Sequence, residues 1–138
     1  MNIPKHSFIA WLAVQNRLKT RDRLKKMQII MDSTCMLCGE QEESRDHLLF
    51  QCTYNRKCWQ AIKSWLNWKM ETCNINNVTS WINNVVVVIY QIWKIRNNAF
   101  WNQCVLLPKM FVKNIMNDVR NCTGRSEWDI VPLRDKDI

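Results

Sequence analysis

The chain has 138 residues, 20 Lys and Arg against 12 Asp and Glu, and a formal net charge of +8. It is 47% hydrophobic with 8 Trp but only 2 Gly and 3 Pro, which suits one domain with a helical core and leaves little turn material for a sheet protein. The longest uncharged stretch, 72–93, carries five Asn and is a poor bilayer span. Phe8 to Val14 is apolar but too short, and too closely preceded by Lys5 and His6, to read as a secretory signal.

Taken in chain order, Pro4 suits a first helical turn, and Phe8, Trp11, Leu12 and Leu18 follow at helical spacing. Residues 1–34 hold seven Lys or Arg against Asp22 and Asp32, a net of +5. Six of the ten residues from Arg17 to Lys26 are basic: Arg17, Lys19, Arg21, Arg23, Lys25 and Lys26. At 100° per residue they fall on opposite sides of one continuous helix, so a break near Thr20 is expected. Thr20 would cap a second helix carrying Leu24 and Met27, with Asp22 in its first turn to complement the dipole. The cluster has two readings of nearly equal weight. It can hold phosphates in a salt-dependent, sequence-independent way, or it can be the solvated face of a helical pair.

The next segment carries the chemistry. Cys35, Cys38, His47 and Cys52 form a C-x2-C-x8-H-x4-C run, three thiols and an imidazole within eighteen residues. Those are the four donors of a closed tetrahedral Zn2+ site. Gly39 follows the first pair and can take the positive φ that the turn requires. Ser44 can cap a short helix with His47 in its first turn and Cys52 near its end. Disulfides would leave His47 unexplained, and C-x2-C redox chemistry would need a βαβ context that this chain lacks. Of the other cysteines only Cys58 is close enough to stand in for Cys52; it, Cys73, Cys104 and Cys122 read as small buried hydrophobes or free thiols. Glu40, Glu42, Glu43 and Asp46 make the intervening loop acidic and a poor phosphate contact. Arg45, Arg56 and Lys57 are candidates to offset the net −1 charge of a three-thiolate zinc site.

Tyr54 to Trp68 reads as a further helix with a Trp59, Ile62, Trp65 and Leu66 stripe. Residues 73–78 read as an Asn-rich loop, with Thr79 capping the next helix, about 80–102. Four consecutive valines, Val85 to Val88, favour a strand on propensity. The three-and-four repeat of Trp81, Val85, Val88, Ile89, Ile92, Trp93, Arg96 and Phe100 argues for a helix buried on more than one side. Pro108 opens a last helix with Phe111, Val112, Ile115, Met116 and Val119. Gly124 would end it, leaving 125–138 as a flexible tail. The expected fold is a small all-α domain with an embedded structural zinc clasp. Its divisions are 1–70, a helical extension over 71–123, and the tail from 124.

Lys5-His6-Ser7-Phe8-Ile9-Ala10-Trp11-Leu12 and Arg17-Leu18-Lys19-Thr20-Arg21-Asp22-Arg23-Leu24 lead into Cys35, Cys38 and Gly39, then Glu42 and Glu43, His47-Leu48, Phe50, Cys52 and Trp59. This order resembles the plant reverse-transcriptase zinc-binding domain family, strongly over 4–68. The segment Ile92-Trp93-Lys94-Ile95-Arg96-Asn97-Asn98-Ala99-Phe100 is similar to a Trp-Lys-x-Arg-Asn stretch often found after that domain. The family lies at the C-terminal end of LINE-type non-LTR retroelement polyproteins, after the reverse transcriptase and often before RNase H. The resemblance implies the zinc-ligand role for Cys35, Cys38, His47 and Cys52, and nucleic-acid contact, to RNA or DNA, during reverse transcription.

No adjacent Asp pair and no RNase H-like carboxylate set is present, so catalysis is not expected. The expected function is an auxiliary module that binds nucleic acid through the basic cluster, with Tyr54, Trp59 or Trp68 stacking on unpaired bases. The alternatives are a zinc-stabilised helical module whose Trp-rich faces dock on a polymerase or RNase H neighbour, or an element remnant. The expected setting is intracellular and reducing, in nucleus or cytoplasm, with neither a membrane nor a small-molecule substrate as partner.

Overall fold

A computed structural model describes residues 4–66 and 75–123. Five α-helices are present there: α1 (Pro4–Val14), α2 (Arg21–Lys26), α3 (Thr53–Leu66), α4 (Ile75–Asn102) and α5 (Pro108–Thr123). A π-helical turn, His47–Gln51, precedes α3. Among the described residues there is no strand, only an isolated antiparallel bridge between Thr34 and Glu42. No described helix is long and apolar enough to cross a membrane.

The all-α expectation holds, and the valine run of α4 is helical. Val87, Val88 and Ile89 are buried in succession, followed by Ile92, Ile95 and Ala99, so this helix is enclosed on more than one side. At 1.5 Å per residue, its 28 residues form a rod of about 42 Å. The helix α1 packs on it through His6, Ile9 and Ala13, while α5 packs on both α4 and α3. One core therefore draws on residues from Ala13 to Val119, with Trp65 and Phe111 its largest enclosed side chains.

Some expectations are corrected. The helix α4 begins at Ile75, so residues 75–78 are not loop and Thr79 lies inside the helix rather than at its cap. Asn costs a helix only a few tenths of a kcal/mol beyond a good former, too little to stop one that tertiary packing stabilises. The apolar stripe of α1 also sits differently. Phe8 and Trp11 are 56% and 47% exposed, because α4 covers the His6, Ile9 and Ala13 face instead. Leu18 is buried, but α1 has ended four residues before it.

That end is built without glycine. Asn16 takes φ +55, Asn16 N–H donates to Ala13 O at 3.0 Å, and Arg17 N–H donates to Leu12 O at 2.8 Å. This is the paired bonding of a Schellman motif with Asn in the left-handed position. Gln28 at φ +61 repeats it after α2, with Gln28 N–H to Lys25 O and Ile29 N–H to Leu24 O, both 3.0 Å. After α4, Gln103 at φ +51 makes the simpler single bond to Ala99 O. The expected Gly124 stop, the 125–138 tail and Trp68 lie outside the described residues.

Candidate metal centre

The metal-ligand segment is entered through an Asp32 turn. The Asp32 carboxylate accepts the Thr34 N–H at 2.9 Å and its hydroxyl at 2.7 Å, and these bonds hold its pKa below the ordinary range. The Thr34–Glu42 bridge and the bond from Cys35 N–H to Gln41 O, 2.7 Å, then fold residues 34–42 back on themselves. Gly39 takes φ +68, as expected, and its N–H donates to Cys35 O at 2.7 Å, closing the turn that aims both sulfurs one way.

The other two donors come from the π turn. The Ser44 hydroxyl accepts the His47 N–H at 3.1 Å, which is the expected cap. Winding is not α: Cys52 N–H donates to His47 O at 2.6 Å, an i to i+5 bond. In an α-helix, residues five apart are turned about 140° from each other. The wider winding restores them to one side, so His47 and Cys52 converge. Its loosened carbonyls are taken up by α3, with Asn55 Nδ2 donating to Leu48 O and Trp59 Nε1 to Leu49 O, each at 2.6 Å.

The ligand atoms of Cys35, Cys38, His47 and Cys52 lie within 4.8 Å of one another. Cys35 Sγ and Cys52 Sγ are 3.9 Å apart, and Cys38 Sγ is 3.3 Å from His47 Nε2. A tetrahedron with Zn–S bonds of about 2.3 Å has S–S edges of about 3.8 Å, so the spacing and the donor chemistry both fit zinc. Cys35, His47 and Cys52 are buried and Cys38 is half-buried. Four protein donors fill the tetrahedron, which makes the centre structural.

Electrostatics favour a cation here. The Cys35 thiol is raised well above its usual range, first by donating to the Cys52 sulfur and then by burial. Cys52 is lowered by accepting that bond, with further help from the Asn55 and Tyr54 N–H groups. A bound zinc would be held by both sulfurs as thiolates, Cys35 giving up the proton it now shares with Cys52. Burial lowers His47 against the opposing charge of Glu43, which favours the neutral imidazole that metals bind.

The net −1 of such a site is offset differently from expectation. Cys52 has extended backbone, φ −60 and ψ 128, directly before α3, and its sulfur faces the N–H groups of that helix's first turn. It is therefore the N-cap of α3, and the helix dipole faces the thiolate. Arg45 is committed elsewhere, to Asp46 at 2.9 Å and to the end of α1 at Ala13 O and Val14 O, while Arg56 and Lys57 are exposed. Cys58 is fully buried, its pKa is pushed up to about 12 by burial, and it is no part of the ligand cluster.

Glu43, read from the sequence as part of an acidic surface loop, is completely buried. Its Oε1 accepts Arg96 Nε at 2.9 Å and the Arg21 N–H at 2.9 Å, and its carbonyl accepts the Asp22 N–H at 3.1 Å. Glu43 thus caps α2, where Thr20 was expected to. Thr20 holds the cap position, but its hydroxyl bonds to the Asp22 carboxylate and makes no backbone cap. Arg96 reaches on to Lys19 O at 3.0 Å and lies over the rings of Trp93 and Phe100. A sequence signal for this existed: an arginine on the apolar stripe of a buried helix requires a buried acceptor.

The six basic residues do not share one role. Arg17, Lys19, Lys25 and Lys26 are exposed. Arg21 braces the Asp32 carbonyl, at 2.8 Å from its NH2, and Arg23 bonds to Asn16 O at the end of α1. The expected stacking residues are corrected. Tyr54 and Trp59 are buried, Tyr54 with its hydroxyl on Leu106 O at 2.7 Å.

No curated protein and no solved structure matches the chain. A family model described as zinc-binding in reverse transcriptase matches residues 1–59, the stretch that contains the four converging donors, the cap residue Glu43 and Trp59. The match and the geometry agree: over residues 1–59 the chain is similar to the reverse-transcriptase zinc-binding domain family.

Proposed function

We propose that the chain is an auxiliary nucleic-acid-binding module of a LINE-type retroelement reverse transcriptase, with no catalytic activity of its own. The observation that carries this reading is the set of four exposed cations, Arg17 and Lys19 just before α2 and Lys25 and Lys26 in its last turn, with α2 anchored to the zinc segment through Glu43. Such charges neutralise phosphates and release counterions. A non-catalytic role is favoured by the histidines. One is a metal donor, and the other, His6, is buried against Tyr90 and Asp118. The zinc clasp serves binding by fixing the base of α2, and no chemistry is routed through it.

The test is a salt titration of RNA and DNA binding by the wild type and by a variant with Arg17, Lys19, Lys25 and Lys26 changed to Glu. Arg21 and Arg23 are left intact because they brace the fold. Affinity should fall steeply with salt in the wild type and be abolished in the variant; a flat salt response would contradict the reading.

One observation favours the second reading, a protein-docking module. Trp101, Val105, Leu107 and Met110, at the corner between α4 and α5, are all exposed, Trp101 by 76%. Binding of a polymerase or RNase H domain through that corner would be insensitive to salt.

A further inference from the structure

The burial of Tyr54 and Trp59 removes two of the three stacking residues the sequence suggests, Trp68 lying outside the described residues, and the exposed face of α1 offers others. Phe8 and Trp11, three residues apart, stand side by side with ring centroids 6.2 Å apart and planes 27° from parallel. Both are about half exposed, although α1 has an apolar face already packed on α4. The Arg17 guanidinium lies 5.9 Å from the Trp11 ring centroid and is itself exposed.

Along the chain, the charge next to this pair is one-sided. From residue 4 to residue 21 the chain holds Lys5, Arg17, Lys19 and Arg21 and no acid. One further guanidinium, that of Arg23, bonds to the Asn16 carbonyl at the end of α1; that of Arg45 reaches the Ala13 and Val14 carbonyls but is paired with Asp46. Aromatic faces in a cationic rim are what unpaired bases with their phosphates require. Base stacking is sequence-tolerant, and a duplex offers no free base face except at its ends.

We infer that Phe8 and Trp11, with Arg17 beside them, form a stacking platform for single-stranded nucleic acid on the outer face of α1. The inference rests on the nucleic-acid reading above and narrows its ligand from any polyanion to an unpaired strand. The exposed cations hold the backbone, and the two rings select strands whose bases are free.

The experiment compares the full chain with Phe8→Ala/Trp11→Ala, and with Trp11→Tyr as the conservative variant. The probes are a short mixed-sequence single-stranded RNA and the blunt duplex formed from it. Circular dichroism and zinc content confirm that each variant is folded, as expected for side chains that face solvent. The double variant should lose about tenfold or more in single-strand affinity, with duplex binding unchanged and Trp11→Tyr close to wild type. Equal loss on both probes, or none on either, would overturn the platform and leave the basic cluster as the binding element. A wild-type chain that binds neither probe would overturn the nucleic-acid reading itself.

Discussion

Arg96 in the middle of α4 and Glu43 in the metal-ligand segment form a buried ion pair, 2.9 Å between guanidinium and carboxylate, with side chains 5% and 0% exposed. The pair joins the family-matched segment to the helices that follow it, and it does so four residues before His47. Removing one partner leaves the other charged, buried and unpaired, a loss of about 3–5 kcal/mol. Arg96→Ala should lower the unfolding free energy by that amount in a denaturant titration. A loss below about 1 kcal/mol, the range of exposed pairs, would show that Glu43 is solvated.

The glycine-poor helix ends give a prediction of opposite sign. Gln28 and Gln103 occupy left-handed backbone, which costs an L side chain roughly 1–2 kcal/mol. Glycine removes that strain but gains back part of the difference as unfolded-chain freedom. Gln28→Gly and Gln103→Gly should each stabilise by about 0.5–1 kcal/mol, read as a raised midpoint with an unchanged denaturant slope. Destabilisation by either would mean that these residues do not hold positive φ.

Acid should weaken the fold through His6 as well as through the ligands. His6 is buried against the Tyr90 ring, centroids 4.3 Å apart, and lies 3.5 Å from the Asp118 carboxylate. Burial depresses its pKa, with Lys5 and Lys94 adding to that and Asp118 opposing it. The folded state therefore holds the neutral ring. Stability from this group is full above the unfolded pKa of about 6.5 and is lost as pH falls through the lower folded value. The difference in stability between wild type and His6→Gln should shrink on going from pH 7.5 to pH 5. A difference that grows in acid would mean that the pair with Asp118 is charged in the fold.

The two neighbouring cysteines of this region separate structure from ligation. Cys58→Ala should keep its zinc and cost on the order of 1 kcal/mol, as expected for a small buried group. Cys52→Ala should lose zinc and with it the start of α3, because that sulfur is both ligand and cap. Measuring metal content beside helicity in the two variants checks both; similar zinc loss in each would put Cys58 in the ligand set.

How much of this was legible in the sequence differs by feature. The four donors and the positive φ at Gly39 follow from spacing alone, since a closed zinc site dictates residue types at fixed separations. Pro108 and the period of α4 also read directly, because buried packing overrides the strand propensity of Val85 to Val88. The partner of Arg96 did not. Glu43 lies 53 residues away in a run of acids, and only the tertiary approach of α4 distinguishes it from exposed Glu40 and Glu42. Which face of α1 is covered was equally hidden. Its apolar residues surround the axis, so the position of α4 decides that Ala13 is enclosed while Trp11 is left in solvent.

The central claim is that Cys35, Cys38, His47 and Cys52 together hold one structural zinc, and metal content tests it most directly. Purified wild-type chain should carry one zinc per molecule. Cys38→Ser and His47→Ala should each lose it and unfold residues 35–58, since metal binding here is also folding free energy. A metal-free wild type of full helicity, or variants that keep both zinc and helicity, would contradict the account.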